Sequence, residues 1–442
     1  MKKILYIIAI LAVGFGGFVF YLQDYVKSKY DEYTLNLQNI SFNNGLSIDL
    51  KQKSYKKGLF DARGVIGGYV KIANEVVEVE VISDIKYGLN VLSGAIDINN
   101  AVKILTDKES VVRIFGTDTP LSISSKIYAD ESADVVAKLV AINYHNHNSI
   151  KSDPITIFVN AKKDGFKSYE LDMPSFSLKN DGNELSLQGL KFDSKLDDYI
   201  KFKDYILYKM PIEKENSSFV IDKFIVKSQG EESIDLQIND MTAWGESRYK
   251  GEKVDMDIGY KIANIKLDSQ DIIKNLDVEL SAEGFNFVAY VKHFNIFDNM
   301  TNTLDISDEM LLKSQQAVLE LLSGAKINLK KLSLANPKDR VVDFKFNLKF
   351  PDINTKDFES IMALYYGVDF DGELKTKGSF TEFIRDYNLP DTSTVFVVAM
   401  LEEQLKLKNG ENSLLKFKYD KNNMDIIIND DIKLSSLMGS GF

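Results

Sequence analysis

The chain has 442 residues, with 54 Lys or Arg against 65 Asp or Glu, so its formal net charge is −11. This acidic balance argues against nucleic acid as a partner, because binding to phosphates needs a basic face. The chain contains no cysteine, which excludes thiolate catalysis, disulfide bonds and cysteine-ligated zinc, and its 44% of hydrophobic residues excludes wholesale disorder.

The first predicted element is a membrane anchor. An uncharged run from Ile4 to Leu22 follows Lys2 and Lys3. It has about 20 residues, the length that crosses a hydrocarbon core as a helix, and it lacks the small-x-small exit of a cleaved signal peptide. We therefore expect an uncleaved anchor. Its apolar residues are Ile4, Leu5, Ile7, Ile8, Ile10, Leu11, Val13, Phe15, Phe18, Val19, Phe20 and Leu22.

The chain after the anchor is expected to be exported, because a short basic tail before a signal-like span most simply stays cytoplasmic. We assign residues 1–23 to the anchor and residues 24–45 to a helical or linker stalk. Residues 46–442 form a β-rich body, which could be subdivided near residues 170 and 300.

The sequence of the body predicts mainly β-strands. Apolar residues from Val254 to Ile262 alternate with polar ones, and the alternation slips by one at Ile265, which predicts a bulge near Ala263 and Asn264. Similar alternation recurs along the body, with Gly, Asn and Asp at the expected hairpin tips. We predict a mainly β fold (β-rich α+β), in which a transmembrane helix precedes an elongated, antiparallel, meander-like β body with a few bracing helices.

Few helices are predicted in the body. Ser307 can cap a helix that ends at Leu322, and Thr355–Tyr366 has apolar residues at helical spacing. Asp271–Asn275 is expected to form a further helical turn, whereas Tyr290–Met300 is ambiguous. The two longer helices are expected to brace a sheet.

Candidate catalytic and metal-binding residues are better explained as structural or solvated residues. His145 and His147 lie in an Asn-rich stretch typical of a polar loop, and His293 lies in a mixed segment. Ser440 does not lie in a nucleophile elbow. We predict no catalytic residue, no metal site and no cofactor. Three acidic pairs are interpreted as parts of a solvated face: Asp197–Asp198, Asp255 with Asp257, and Asp430–Asp431. Trp244 is the last candidate, and we expect it to pack against the protein rather than to stack on a ligand.

Three short motifs carry a family resemblance: SYKKGLF from Ser54, TPLSISSKI from Thr119 and NMDIIINDDIKLSSLM from Asn423. Their order resembles the YdgA-like family of bacterial inner-membrane proteins. Where that family tends to have Asn-Gly in the last hairpin, this chain has Asn429–Asp430. The resemblance implies a single-pass inner-membrane protein with a periplasmic β-rich body and no established activity. The matching motif residues, which we interpret as structural, are Tyr55, Gly58, Phe60, Thr119 and Pro120.

Long strands with one apolar face must cover that face, and this sequence has few amphipathic helices to do so. A second sheet, a protein partner or a lipid could cover it. We therefore expect a non-catalytic, membrane-anchored envelope protein that binds a hydrophobic ligand or lipid in a β groove. The alternative is a scaffold that forms a homo-oligomer or docks an envelope partner, and an enzyme is the third hypothesis.

Overall fold

A computed structural model of the protein describes residues 23–32, 34–35, 38–41, 46–72, 75–87, 95–145, 148–162, 165–201, 213–229, 233–290, 308–353, 366–387 and 393–438. The chain divides into two compact units, Met1–Asp181 (unit 1) and Gly182–Phe442 (unit 2). Antiparallel strands dominate the described residues of both units, with few helices, so the prediction of a mainly β fold is confirmed.

The predicted anchor, Ile4–Leu22, lies outside the described residues. Among the helices that the structure does describe, none is long and apolar enough to cross a membrane. The transmembrane helix therefore stays a prediction from the sequence.

Unit 1 is an antiparallel meander with two described helices. Its elements are α1 (residues 23–32), β1 (Ile40–Ser41), β2 (Leu46–Lys57), β3 (Asp61–Ile72), β4 (Glu75–Lys86), β5 (Ala95–Ile104), α2 (Lys108–Phe115), β6 (Leu121–Tyr128), β7 (Ser132–Leu139), β8 (Ile142–His145), β9 (Asn148–Ser152), β10 (Ile155–Lys162) and β11 (Gly165–Asn180). Strands β1 to β7 pair in chain order.

Strands β7 to β10 form one long hairpin with an interruption. Leu139 lies opposite Ile155 and Ile142 lies opposite Ser152, so the offset between the two arms is the same on both sides of the break. Pro154 lies at this break, where a residue without an N–H group cannot continue the ladder. β11 then pairs with both β10 and β9 and completes the sheet of this unit.

The core of unit 1 lies between α1 and the first strands. Val26 and Tyr30 of α1 pack against buried residues of β2 to β4 and against Tyr87. Residues 24–32 of the helix lie within the segment expected to be a helical or linker stalk, and the sheet holds the helix through apolar burial. The other buried members of this core are Leu50, Ala62, Ile66, Val79 and Ile85.

Unit 2 is a second antiparallel meander, with longer strands. Its elements are β12 (Asn183–Lys201), β13 (Lys214–Ser228), β14 (Ile234–Lys250), β15 (Lys253–Leu267), β16 (Gln270–Asn286), α3 (Asp308–Leu322), β17 (Lys326–Ala335), β18 (Val341–Lys349), β19 (Asp369–Thr376), α4 (Phe380–Arg385), α5 (Ser393–Gln404), β20 (Lys408–Asn409), β21 (Asn412–Asp420), β22 (Asp425–Ile428), β23 (Ile432–Lys433) and α6 (Leu434–Met438). β12 to β19 pair in chain order, and β19 continues to β21, β22 and β23.

The predicted helices of unit 2 have different outcomes. The helix expected to end at Leu322 is confirmed as α3. The turn expected at Asp271–Asn275 is wrong, because these residues belong to β16 and pair with β15, and the β-branched Ile272 and Ile273 favour a strand. Most of the two other candidates, Thr355–Tyr366 and Tyr290–Met300, lies outside the described residues.

The slip in alternation near Ala263 is present, but it is not the bulge predicted at Ala263 and Asn264, because it extends over five strands without a change of register between them. In β14 and β15, Asn239 pairs with Asn264 and Met241 pairs with Ile262, so the pair at Ala263 is lost while the offset is unchanged. An extra residue in one strand would change the offset. Each of the five strands therefore has one residue that interrupts the alternation, and these five residues lie side by side across the sheet. We call this row of residues the crease. Its residues are Gly189, Asp222, Asp240, Ala263 and Asn275.

The contact of α1 with the sheet gives a first prediction. A Cβ atom at Gly64 would lie 2.2 Å from Tyr30 Oη and 2.3 Å from Tyr30 Cζ. We expect Gly64→Val to lower the local free energy of unfolding of α1 by about 1–3 kcal/mol, the usual cost of overpacking a core. Hydrogen–deuterium exchange of residues 23–32 measures this change.

A matched control lies on the same strand. A Cβ atom at Gly67 would meet mainly the flexible end of Lys53, whose Cε atom is 2.4 Å away and can move. Gly67→Val should therefore leave the exchange of α1 close to that of the unchanged protein. Equal exchange of α1 in the two variants would contradict the prediction.

Candidate functional site

A row of apolar side chains crosses the sheet of unit 2. Its members are directly opposed residues on neighbouring antiparallel strands, so they share one face of the sheet. We call this set the apolar row. In strand order it consists of Phe192, Phe219, Ala243, Tyr260, Val278, Leu332, Phe344, Leu374 and Leu415.

The apolar row is partly exposed to solvent along its whole length. None of its nine members is buried, and Tyr260 keeps 43% of its surface exposed. Isolated apolar residues on a surface need no explanation, but a contiguous set of this extent is a candidate binding surface. Helix α3 contacts β16 and buries Ala317 and Leu319, so it braces part of the unit, as a helix of this region was expected to do.

Aromatic rings extend the apolar row on β18, β19 and β21. The ring centroids of Phe346 and Phe417 are 6.2 Å apart, and those of Phe370 and Tyr419 are 5.3 Å apart in a stacked pair. Gly372 lies directly opposite Phe417, and a Cβ atom at Gly372 would lie 2.2 Å from Phe417 Cζ. The glycine thus leaves the space in which the Phe417 ring lies flat on the sheet.

The opposite face of the same strands carries ion pairs. Arg248 Nη2 lies 2.8 Å from Asp257 Oδ2, and Lys330 Nζ lies 2.7 Å from Asp257 Oδ1. The hydrogen bond from Lys330 and that from Arg248 outweigh the opposing effect of burial and hold the pKa of Asp257 below its usual value. The ion pairs of Asp257 therefore lie on the face opposite the apolar row.

The structure gives the acidic pairs local roles. Asp255 accepts hydrogen bonds from Lys250 and from the Gly284 N–H, so both members of the Asp255 and Asp257 pair are engaged. Asp430 lies in a hairpin turn with positive φ at Asn429 and Asp430, which provides the turn that Asn-Gly would otherwise supply. Asp197 accepts a hydrogen bond from the Glu213 N–H, and Asp198 accepts one from the Tyr199 N–H.

The remaining candidates do not converge on a site. His145 is exposed at the end of β8, and His147, His293 and Ser440 lie outside the described residues. No group of three metal-ligating side chains occurs in the described part of the chain. Trp244 lies over Gly259 of the neighbouring strand, where a Cβ atom would be 2.2 Å from Trp244 Nε1, so its ring packs on the sheet.

The motif residues Tyr55, Gly58 and Phe60 lie where α1 meets the sheet. The rings of Tyr55 and Tyr30 are 5.2 Å apart, and burial raises the pKa of Tyr55 to about 12, so this phenol stays neutral near pH 7. The carbonyl oxygen of Gly58 accepts hydrogen bonds from Gln23 Nε2 at 2.8 Å and from Tyr87 Oη at 3.0 Å. The first motif therefore holds α1 in place.

The motif residues Thr119 and Pro120 precede β6. Pro120 is fully buried, and its carbonyl oxygen accepts a hydrogen bond from the Val140 N–H at 2.9 Å. The Thr119 N–H donates to Thr117 Oγ1 at 3.2 Å. The hydrogen bond between Pro120 and Val140 extends the pairing of β6 with β7 by one residue pair beyond the strand ends.

The sequence analysis did not identify a buried acidic residue of α5. Glu402 of α5 has only 3% of its surface exposed and accepts hydrogen bonds from Thr381 Oγ1 at 2.7 Å and from Ser413 Oγ. The backbone N–H groups of Phe380 and Thr381 also donate to it at 3.0 and 3.3 Å. Glu402 thereby joins α5, the start of α4 and β21. A glutamate within an apolar helix is the sequence signal that could have identified this buried residue.

Comparison with known proteins gives one match. A family model described as a bacterial protein of unknown function, DUF945, matches residues 1–385. Neither the curated proteins nor the solved structures contain a match to this chain.

Proposed function

The chain belongs to the DUF945 family of bacterial proteins of unknown function, and on that premise we propose that it is a non-catalytic, membrane-anchored envelope protein that binds lipid acyl chains. Ile4–Leu22 is the proposed anchor, which makes this a single-pass protein of the bacterial inner membrane with its body in the periplasm. The finer YdgA-like assignment, which rests on short motifs, is part of the proposal.

The observation that carries the proposal is the apolar row. Its side chains are half-buried or exposed, although an apolar face in water is unfavourable by roughly 25 cal/mol for each Å². Neighbouring strands are about 4.8 Å apart, so a row across nine strands is about 38 Å long. One leaflet of a membrane has a hydrocarbon thickness of about 15 Å, so the row is long enough for two extended acyl chains.

The composition of the surface also supports a lipid. Phe344, Phe346, Phe370 and Phe417 offer rings without a hydrogen-bonding group, which suits a methylene chain better than a polar partner. The charged residues that could orient a polar headgroup lie on the opposite face or at strand ends. We therefore propose that the alkyl chains, and not the headgroup, provide most of the binding energy.

Photocrosslinking in cells tests the proposal on the full-length chain. The photoreactive amino acid benzoylphenylalanine is placed at Phe346, and the phospholipids of the cells are labelled with radioactive phosphate. We expect irradiation to give a radioactive protein band, because the ring of residue 346 lies among the aromatic residues of the proposed surface. Lipid near the anchor does not interfere, since the crosslink forms only at the substituted position.

The neighbouring residue provides the control. Lys345 precedes Phe346 in β18, is exposed and faces the opposite side of the sheet. Benzoylphenylalanine at Lys345 should give no radioactive band. Equal labelling from both positions, or none from Phe346, would rule out the apolar row as a lipid surface.

A second candidate function, a scaffold that self-associates, is favoured by α5. Phe396 and Val397 of this helix are 72% and 45% exposed, although they lie in an apolar stretch of its sequence. A second copy of the chain could cover them. Benzoylphenylalanine at Phe396 would then yield a crosslinked dimer, and a band at the mass of one chain would count against this candidate.

A further inference from the structure

The turn between β2 and β3 contacts Gln23, the first residue after the proposed anchor, and presents apolar side chains. We infer that Leu59 and Phe60 in this turn enter the interface of the bilayer that holds Ile4–Leu22, so that the body contacts the membrane at a second, fixed point. This inference rests on the proposed anchor, and it concerns the lipid surface next to the anchor, which is distinct from the apolar row.

The position of the turn follows from contacts of Gln23. Gln23 is the first residue after the apolar run, and its Nε2 donates to the carbonyl oxygens of Gly58 at 2.8 Å and Leu59 at 3.3 Å. Gln23 is itself buried, with 9% of its surface exposed. Since a helix rises only about 1.5 Å per residue, the turn lies at the level where a spanning helix would leave the hydrocarbon core.

The turn is rigidly held. Tyr87 Oη donates to the carbonyl oxygens of Gly58 at 3.0 Å and Asp61 at 2.6 Å, and the Tyr87 N–H donates to the Phe60 carbonyl oxygen at 3.0 Å. The Gly58 N–H donates to the Asp61 carbonyl oxygen at 2.8 Å. These bonds fix the backbone from the inside, so the outward direction of the Leu59 side chain is a consequence of the fold.

The exposed side chains have the composition of a membrane interface. Leu59 is 64% exposed and Phe60 is 38% exposed, and Tyr25 of α1 is exposed to the same extent as Phe60. Lys56, which is also exposed, flanks the turn. Aromatic and apolar residues with an adjacent lysine are typical of segments that enter the interface, where lysine meets lipid phosphates.

Site-specific fluorescence can test this inference, because the chain contains no cysteine and one introduced thiol gives a unique label. Three variants of the full-length chain, Leu59→Cys, Val76→Cys and Ile10→Cys, are labelled with the fluorophore NBD. Each is reconstituted into vesicles of phosphatidylethanolamine and phosphatidylglycerol that contain lipids with a nitroxide quencher near the headgroup or deep in the acyl chain. Val76 is 50% exposed and lies at the far end of the hairpin of β3 and β4.

We expect the shallow quencher to lower the emission from position 59 by about half, because interfacial segments enter the headgroup and acyl boundary by about 5–10 Å. Position 76 should not be quenched, and position 10 should respond most to the deep quencher.

Quenching at position 10 without quenching at position 59 would overturn the inference and leave the anchor intact. If neither position is quenched, the anchor itself fails. Emission at position 59 that changes with protein concentration instead of with quencher would indicate a second copy and also overturn the inference.

Discussion

Changing Phe417 to serine is expected to lower the yield of lipid crosslinking from position 346 at least tenfold. The Phe417 ring lies 6.2 Å from that of Phe346 and over Gly372, which has no side chain to take its place. Covering a large apolar side chain is worth about 1.5–3 kcal/mol, and 1.4 kcal/mol corresponds to a tenfold change in affinity. The radioactive band from the photoreactive residue at 346 measures this loss.

Lys418→Ser is the matched control for this experiment. Lys418 is the next residue in β21, is exposed and faces the opposite side of the sheet. The Lys418→Ser variant should leave the yield of crosslinking unchanged. If Lys418→Ser lowers the yield as much as Phe417→Ser, the effect comes from the stability of β21 and the assignment of the surface is wrong.

Changing Glu402 to alanine is expected to destabilise the segment of α4 and α5 by about 4 kcal/mol or more. The change leaves the hydroxyl groups of Thr381 and Ser413 and two backbone N–H groups without their acceptor, and each unsatisfied buried donor costs about 1–3 kcal/mol. Hydrogen–deuterium exchange of α4 measures the local free energy of opening. Glu403 is the neighbouring exposed residue, so Glu403→Ala should have little effect, and equal changes in both variants would contradict this account.

The same carboxylate predicts a dependence on pH. Burial of Glu402 favours its neutral form, but hydrogen bonds from Ser413 and Thr381 outweigh burial and hold the pKa of Glu402 below its usual value. A depressed pKa contributes stability above the unfolded-state pKa of about 4.3, and this contribution is lost as the pH falls through the folded-state pKa.

The protection factors of α4, which are corrected for intrinsic exchange, should therefore fall below about pH 4 in the unchanged protein. Glu402→Gln removes the titrating group, and α4 should then lose its additional acid sensitivity relative to the rest of unit 2. An identical pH profile in both proteins would show that Glu402 does not contribute to the acid response.

The strands could be predicted because their chemistry repeats at short range. Alternation from Val254 to Ile262 identifies β15 and its two faces directly. The sequence also indicates the slip at Ala263, because the phase of alternation changes there. What it does not indicate is that four neighbouring strands carry the same slip, since this follows only once the register between strands is known.

The two missed features are both produced by contacts between distant residues. Asp271–Asn275 follows a polar stretch and was expected to form a helical turn, yet pairing with β15, and at Lys274 also with β17, makes it part of a strand. Glu402 looks like a surface residue of an apolar helix, and its acceptor role depends on Thr381 and Ser413, which lie far away in the chain. Alternation reports only which face a residue occupies, and neither contact follows from it.

The crease places a condition on how this sheet can change in evolution. Because every strand from β12 to β16 has its own irregular residue at the same level, loss of one residue such as Asp240 would shift half of β14 by one residue against β13 and β15, and its apolar residues would then lie opposite polar residues of these strands. A single-residue deletion therefore needs matching deletions in the neighbouring strands or a bulge that absorbs the mismatch, as the register shift between β16 and β17 does beside Asn275. Whole hairpins, which bring two such residues with them, are the units by which relatives of this protein can lengthen or shorten the sheet.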